Sequence, residues 1–235
     1  MLKHSLHPMR TSGSRPSTTS YNSLMEQNTW DLVLLPPGRK FVGSRWFFRI
    51  NTNGRYKARF VPKGFSQIPG GDYFATFAPV ARMNSMRLLL SLAAEYNWDL
   101  VNLDVKTAFL QSELKEEIYV RQPRGFEKHS PSVAPYVCRL RRSLYDLCQT
   151  PASWLSTIHQ FLLDIELKSC LADPCVYVKG SGTVILVLYV DDIISGASSD
   201  AINKVKEKLM TKFDMSYLGD VTTFLGMDIV RDRST

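Results

Sequence analysis

The chain has 235 residues, of which 44% are hydrophobic and 22% are charged, and this composition is typical of a globular protein that buries a substantial core. The length allows one large domain or two small ones. A formal net charge of +7 favours a polyanionic partner, with nucleic acid ahead of a membrane surface. No apolar run approaches the roughly 18 residues of a membrane span, so we expect no membrane partner.

The cysteine pattern argues against a zinc site. The four cysteines are Cys138, Cys148, Cys170 and Cys175, and neither their spacing nor that of the four histidines matches a metal-ligand motif. We therefore expect free structural thiols in a reducing compartment. Residues behind Lys3 also lack the apolar core of a secretory signal.

Residues 1–24 are rich in Ser, Thr, Pro, His and Arg and contain few large apolar side chains. Such a segment gains too little from burial to offset the entropy of ordering, so we predict a disordered N-terminal tail. Ordered structure is expected from about residue 28.

A basic hairpin is predicted over residues 45–61. Two runs of strand-forming residues, 45–50 and 55–61, flank an Asn53-Gly54 turn signal. The two-residue period puts Arg55, Lys57 and Arg59 on one face. Eight Lys or Arg residues and no acidic residue lie between Asp31 and Asp72. A phosphate chain would satisfy this face, and the alternative is an ordinary solvated surface hairpin.

Helices and strands alternate in the rest of the chain. We predict a helix capped by Asn84 or Ser85 that runs to about residue 96, with Leu88, Leu89, Leu92 and Ala93 inward. A short strand follows and ends near Asp104, where a lone Asp is also a common helix cap. Further helices are predicted from Thr150-Pro151 and from residue 199 or 200 to about residue 213, and a loop and a strand over residues 218–230.

Two adjacent carboxylates interrupt the most apolar stretch of the chain, TVILVLYVDDIISGA at residues 183–197. Strand formers on both sides predict a hairpin with Asp191 and Asp192 at its tip. Two neighbouring anions in an apolar setting repel each other unless a cation compensates, and oxygen ligands favour Mg²⁺. The alternative is an Asp-Asp turn in open water.

The element order predicts an α+β fold, an antiparallel sheet with helices on one face. Such a layout can bring Asp104 beside Asp191 and Asp192. Three converging carboxylates can hold two Mg²⁺ ions, the arrangement used for in-line phosphoryl transfer.

Six motifs, in order, resemble the reverse transcriptases of copia-type LTR retrotransposons. They are RYKARFVPKGF at 55–65, DYFATFAPVAR at 72–82, LDVKTAFL at 103–110, SLY and QTPASW between 143 and 154, YVDD at 189–192, and LGD and FLG between 218 and 226. The resemblance extends over residues 28–230. It implies RNA-directed DNA polymerase activity.

The resemblance also implies a right-hand polymerase fold with fingers and palm. Fingers would comprise residues 25–100 with the basic hairpin, and residues 101–112 would carry the first catalytic motif of the palm. Residues 113–150 would connect fingers and palm. Residues 151–235 would complete the palm with the YVDD hairpin and a primer-grip strand, and we expect no thumb or RNase H region in this sequence.

Site residues carried over from the family fall into four groups. Asp104, Asp191 and Asp192 would be the catalytic, metal-binding set for two Mg²⁺ ions, with Mn²⁺ as a substitute. Lys57 and Arg59 would clamp the triphosphate, while Phe109 would exclude a ribose 2′-OH and Gln149 would lie against the nascent pair. Primer and template would contact Tyr189, Phe224, Leu225 and Gly226.

The implied partners are a primed RNA or DNA template, deoxynucleoside triphosphates and the rest of a Pol polyprotein, including RNase H and integrase. An expressed protein would be intracellular, in a cytoplasmic particle or the nucleus.

Asp146 and Cys148 depart from the family pattern, which usually has Gly and Lys there, and Phe74 and Ala75 replace residues that are often acidic. These departures keep a second hypothesis open: a truncated, inactive remnant that retains the fold and nucleic-acid binding. An unrelated two-metal phosphoesterase is a third, weaker alternative.

Overall fold

The computed structural model describes residues 16–50, 54, 56–180, 182–189, 192–197, 199–224, 227–230 and 232, with the backbone alone described for 192–197 and 224. The helices are α1 (Pro16–Glu26), α2 (Met83–Glu95), α3 (Thr150–Asp164) and α4 (Ser199–Lys212), with short 3-10 helices at Gly64–Ser66 and Ala108–Gln111. None of the helices in this part of the chain is long and apolar enough to cross a membrane.

The strands of the described residues form four antiparallel sheets. They are β1 (Trp30–Leu34), β2 (Ser44–Ile50), β3 (Tyr56–Pro62), β4 (Asp99–Val105), β5 (Tyr119–Val120), β6 (Tyr136–Leu140), β7 (Lys168–Ser169), β8 (Val176–Lys179), β9 (Val184–Tyr189), β10 (Asp192–Ala197), β11 (Met215–Asp220), β12 (Thr223–Phe224) and β13 (Met227–Asp228). This mixture of helices and antiparallel sheets confirms the predicted α+β class.

The largest sheet has six strands in the order β11-β4-β10-β9-β8-β7. Its central strands are rich in β-branched and aliphatic residues, which favour a pleated, buried surface. Helices α2, α3 and α4 share one apolar core with this sheet, to which they contribute Leu89, Ile158 and Leu209. In α4, Ile202, Val205 and Leu209 are buried while most of the lysines stay exposed, as the helical period predicts.

A second apolar core lies under the three-stranded sheet β1-β6-β5 and the β2–β3 hairpin. Trp30 of β1, Phe60 of β3 and Val120 of β5 meet there. The hairpin pairs over its full described length, from Ser44 opposite Pro62 to Ile50 opposite Tyr56. Of the predicted turn, Asn53 lies outside the described residues.

The prediction of a disordered tail over residues 1–24 is wrong for residues 16–24, which form most of α1. Leu24 is buried in the second core, and the Tyr21 ring stacks on Phe126 with centroids 4.2 Å apart. Ser20 Oγ donates a hydrogen bond to the Ala58 carbonyl oxygen at 2.8 Å. The polar composition of this segment gave no sign that Leu24 and Tyr21 would be packed against the rest of the chain. These two side chains can hold the helix in place because β3 and the loop around Phe126 provide the surface that they contact. Residues 1–15 lie outside the described part.

Two further sequence predictions need correction. Helix α2 begins at Met83 after Arg82, and Leu88 is 60% exposed, because the buried row of this helix is Met86, Leu89 and Ala93. The segment predicted as a loop and a strand over residues 218–230 instead contains the end of β11 and the short antiparallel pair β12 and β13. Leu218 lies within β11, which pairs with β4.

Candidate active site

Asp104 lies one residue before the end of β4, a central strand of the six-stranded sheet. Its neighbours Leu103 and Val105 are buried on the helix side, whereas Asp104 and Asn102 are half-buried on the other face. Asn102 Oδ1 is buried and accepts no hydrogen bond from the described residues. Asp104 likewise takes part in no ion pair or side-chain hydrogen bond within the described chain. This face of β4 therefore carries polar oxygens that lack protein partners in that part of the chain.

The strand register brings the two predicted acidic motifs together. Asp192, the first residue of β10, is the cross-strand partner of Asp104 in β4. On its other side Asp192 is paired with Tyr189, the last residue of β9, so the described strands form the predicted hairpin. Asp191 and the side chain of Asp192 lie outside the described residues. The backbone pairing alone makes Asp104 and Asp192 neighbours in one sheet.

A short, well-anchored segment follows β4. Gln111 Nε2 donates to the carbonyl oxygens of Lys106 and Asp214, at 2.7 and 3.1 Å, and Gln111 Oε1 accepts the Asp214 N–H at 2.9 Å. Lys106 Nζ lies 3.2 Å from Asp214 Oδ1. These contacts tie the start of β11 to the end of β4 and hold the 3-10 helix that contains Phe109.

Three side chains connect the basic hairpin to this segment. The Arg59 guanidinium carbon lies 4.9 Å from the centroid of the Tyr145 ring, within the range of a cation–π contact. The Tyr145 ring in turn meets Phe109 edge to face, with centroids 4.7 Å apart. Arg59 and Phe109, both predicted to face the nucleotide, are therefore joined through Tyr145.

The predicted faces of the hairpin are confirmed in the described residues. Ala58 and Phe60 are buried, while Lys57 is exposed and Arg59 is half-buried. Residues directly opposite each other in an antiparallel pair share a face, and the register pairs Arg49 with Lys57 and Phe47 with Arg59. We call the surface formed by Arg45, Phe47, Arg49, Lys57 and Arg59 the basic face of the hairpin. Arg55 lies outside the described residues.

Gln149 is buried, with 1% of its surface exposed, and its amide is used within the protein. Its Oε1 accepts a hydrogen bond from Gln67 Nε2 at 3.1 Å, and its Nε2 donates to the Asp72 carbonyl oxygen at 3.3 Å. Gln67 Oε1 also accepts the Cys148 N–H at 2.8 Å. These bonds fasten the loop after β3 to the start of α3. Gln149 borders a cavity of about 710 Å³ that Gln111 also lines.

The remaining predicted contacts are only partly described. Tyr189 is half-buried at the end of β9. Phe224 ends β12 and is paired with Met227 of β13, while Leu225 and Gly226 lie outside the described residues. No cluster of three or more His, Cys, Asp or Glu side chains suited to a metal ion occurs among the described residues, a set without Asp191.

The cysteines are free thiols, as predicted. Burial raises the pKa of the Cys138 thiol to about 12, and burial, with the charge of Asp173, raises that of Cys175 to about 11. Both thiols therefore stay protonated at neutral pH, which agrees with a structural role.

Sequence reasoning assigned no role to two residues that organise this site. Tyr145 belongs to the SLY motif at residues 143–145. A tyrosine within a motif of a nucleic-acid enzyme could have indicated a ring that stacks on a neighbouring side chain or base. Gln67 belongs to no motif, and only its burial against Gln149 reveals its role.

The family follows from comparison with known proteins. Residues 27–235 match the family model described as "Reverse transcriptase (RNA-dependent DNA polymerase)", so the chain belongs to this family.

The relatives narrow this assignment. The chain is 40% identical to the retrovirus-related Pol polyprotein from transposon TNT 1-94 of Nicotiana tabacum, over 97% of this chain and 18% of that protein. It is 38% identical to the corresponding polyprotein from transposon RE1 of Arabidopsis thaliana, over 89% and 15%. The Ty1-DR1 Gag-Pol polyprotein of Saccharomyces cerevisiae is 28% identical over 91% of this chain and 12% of its own length. The chain thus spans less than a fifth of these relatives, and the resemblance to copia-type elements is confirmed.

Proposed function

We propose that the chain catalyses template-directed transfer of deoxynucleotides to a primer 3′-OH, with Asp104, Asp191 and Asp192 as its acidic set. The observation that carries this proposal is the cross-strand pairing of Asp192 with Asp104. Asp191 joins the set because it precedes Asp192 directly. Like charges placed opposite each other destabilise a sheet unless they are compensated, so the presence of two acids at these paired positions favours a functional site.

The donor set fits hard divalent cations. Carboxylate oxygens are the ligands that Mg²⁺ and Mn²⁺ prefer, and Asp104 has no ion-pair partner among the described residues. Two such ions, when bound, would supply activation of the primer hydroxyl and charge neutralisation on the departing pyrophosphate. The contribution of the chain is to hold Asp104 on a rigid central strand and to fix its distance from β10.

The nucleotide would lie between the basic face of the hairpin and Phe109. Lys57 and Arg59 would neutralise the triphosphate, and the contact with Tyr145 limits the conformations open to Arg59. Phe109, packed edge-on against Tyr145, would crowd a ribose 2′-OH. Gln149 would act by holding the loop beside the nucleotide, which agrees with its burial.

In this proposal the six-stranded sheet is the palm, and the three-stranded sheet with the hairpin forms the fingers. Tyr189 and residues 224–226 would then contact the primer–template. The Pol polyproteins among the relatives imply that the domain works beside other Pol segments, such as RNase H and integrase, in an intact element.

Primer extension on an RNA template tests the proposed activity. With Mg²⁺ present, Asp104→Asn and Asp191→Asn should each lower incorporation roughly a hundredfold or more, because each removes an anionic oxygen ligand. Asp200→Asn, at an exposed carboxylate in the first turn of α4, is the matched control and should extend the primer like the wild type. Equal extension by all four proteins, or none by the wild type, would contradict the proposal.

An inactive remnant that retains nucleic-acid binding is the second candidate. The observation that favours it is Asp146, an acid whose carboxylate lies 3.7 Å from Arg45 of the basic face. Salt-sensitive binding of a primed template without any extension would support this candidate.

A further inference from the structure

The turn that carries Asp146 has an unusual backbone. Asp146 has a φ of 76°, in the left-handed region that residues other than Gly seldom adopt. Aspartate is among the residues that tolerate this region, yet it does so at a conformational cost that Gly avoids.

Contacts on the far side of the turn prevent this backbone from relaxing. Gly64 packs against it so closely that a Cβ at that position would lie 1.6 Å from the Asp146 carbonyl oxygen. Cys148 Sγ donates a hydrogen bond to the Gly64 carbonyl oxygen at 3.4 Å, and the Cys148 N–H is bonded to Gln67. The direction in which Asp146 leaves the turn is therefore fixed by its neighbours.

That direction takes the Asp146 carboxylate to the basic face of the hairpin. Oδ2 lies 3.7 Å from an Arg45 guanidinium nitrogen, and both side chains are about half exposed. The preceding residue, Tyr145, contacts Arg59 of the same face. One turn thus presents an aromatic ring to one arginine of this face and an anion to another.

We propose that Asp146 lowers the affinity of the basic face for nucleic-acid phosphate by acting as a competing anion on Arg45. This inference rests on the proposed function, in which Lys57 and Arg59 of that face meet the nucleotide triphosphate, and it assigns Arg45 of the same face to the phosphate chain of the primer–template. A phosphate that approaches Arg45 has to displace the carboxylate or accept its repulsion, so fewer counterions are released on binding. Asp146 is then a residue that sets affinity, and it need not touch the nucleic acid.

Salt-dependent binding of the full chain to a fluorescent RNA–DNA primer–template tests this inference. Asp146→Asn keeps the size of the side chain and suits the left-handed backbone, so the variant should fold. Its Kd should be about threefold lower than that of the wild type at about 50 mM salt, and the slope of log Kd against log salt should be steeper by about one. In an Arg45→Ala background the same substitution should change neither quantity by more than a small fraction, because the competed cation is gone.

Glu166 offers a matched control elsewhere in the fold. It also has a left-handed backbone, with a φ of 70°, and also forms an exposed ion pair, to Lys179 at 3.2 Å. Glu166→Gln should leave Kd and its salt slope unchanged, although it removes the same charge from the chain. A gain in affinity equal to that of Asp146→Asn would show a net-charge effect and overturn the inference.

The outcomes separate this inference from the proposed function. Salt-dependent binding by the wild type with an unchanged Asp146→Asn variant overturns the role of Asp146 alone. A wild type that does not bind the primer–template overturns both. The Asp146→Gly variant adds a second measurement. Its midpoint of thermal unfolding should rise, because Gly adopts the left-handed backbone without the conformational cost. Its primer–template binding should be as tight as that of Asp146→Asn, because both variants lack the carboxylate charge.

Discussion

Arg59 combines a structural contact with a position on the proposed phosphate-binding surface. Its guanidinium is held over Tyr145 at 4.9 Å, while its position on β3 keeps it on the basic face of the hairpin. A planar guanidinium can stack on a ring and still donate hydrogen bonds at its edge, which a lysine ammonium cannot do in the same way. In the proposed function, the contact with Tyr145 would hold the Arg59 guanidinium in place before a phosphate binds.

The prediction at this scale concerns Arg59→Lys, which preserves the charge and removes the stacked plane. We expect the free energy of unfolding to fall by about 0.5–1 kcal/mol, the value of an exposed cation–π contact, and the KM for deoxynucleotides to rise several-fold. Urea unfolding and steady-state primer extension measure the two effects. Arg49→Lys, on the same face but in the neighbouring strand, is the control, and an equal rise in KM there would refute a special role for Arg59.

At the scale of elements, Asp173 joins α2 to the six-stranded sheet. Its carboxylate accepts hydrogen bonds from the Arg82 N–H at 2.8 Å, the Ser85 hydroxyl at 2.6 Å and the Cys175 N–H at 3.1 Å. Burial disfavours the ionised form of Asp173, but these hydrogen bonds outweigh it and lower the pKa of the carboxyl below its usual value. The first turn of α2 and the segment before β8 are thereby held by one anion.

The lowered pKa has a definite consequence for stability. The ionised Asp173 carboxylate makes its full contribution to the free energy of unfolding above the unfolded-state pKa of about 4. This contribution is lost as the pH falls through the lower pKa of Asp173 in the folded state. Asp173→Asn should reduce the free energy of unfolding by about 1–3 kcal/mol at pH 7 and flatten its decline below about pH 4. Urea titrations at several pH values check this. Asp228→Asn, at an exposed carboxyl, should keep the wild-type profile; a steep acid decline in Asp173→Asn would contradict the assignment.

For the molecule as a whole, α1 closes the second apolar core. Leu24 is buried beside Trp30, and Tyr21 stacks on Phe126, so this helix covers the side of the hairpin opposite its basic face. The Ser20 hydrogen bond to Ala58 adds a direct link to β3. We therefore expect the orientation of the hairpin relative to the rest of the second core to depend in part on α1, which precedes the family match that starts at residue 27.

Deletion of residues 1–27 tests this dependence. Loss of a buried leucine and of a stacked aromatic pair should lower the free energy of unfolding by about 2.5–4 kcal/mol, since burial of a leucine contributes about 1.5–3 kcal/mol and an aromatic pair about 1 kcal/mol. Chemical denaturation measures the change. Deletion of residues 1–15 alone is the length control and should keep the wild-type stability. Two deletions of equal effect would show that α1 is not the stabilising element.

Local patterns account for much of the fold. The hairpin of β2 and β3, the strand that ends near Asp104 and the buried row of α4 were all predictable, because strand and helix periods are properties of short segments. Leu88 and α1 were mispredicted for the opposite reason. Whether α1 is ordered, and which of the neighbouring leucines of α2 is buried, depend on surfaces that distant parts of the chain provide. Local composition and helical period do not contain this information.

The sequence by itself determined the family, through motifs in fixed order, and the acidic and basic residue types that the proposed chemistry needs. Only the tertiary structure decided which of these acidic and basic residues lie next to each other. The pairing of Asp192 with Asp104, the path from Arg59 through Tyr145 to Phe109, and the anion of Asp146 beside Arg45 all join segments that lie far apart in the chain. Such contacts depend on strand register and on the packing of whole elements, and no short-range pattern encodes either.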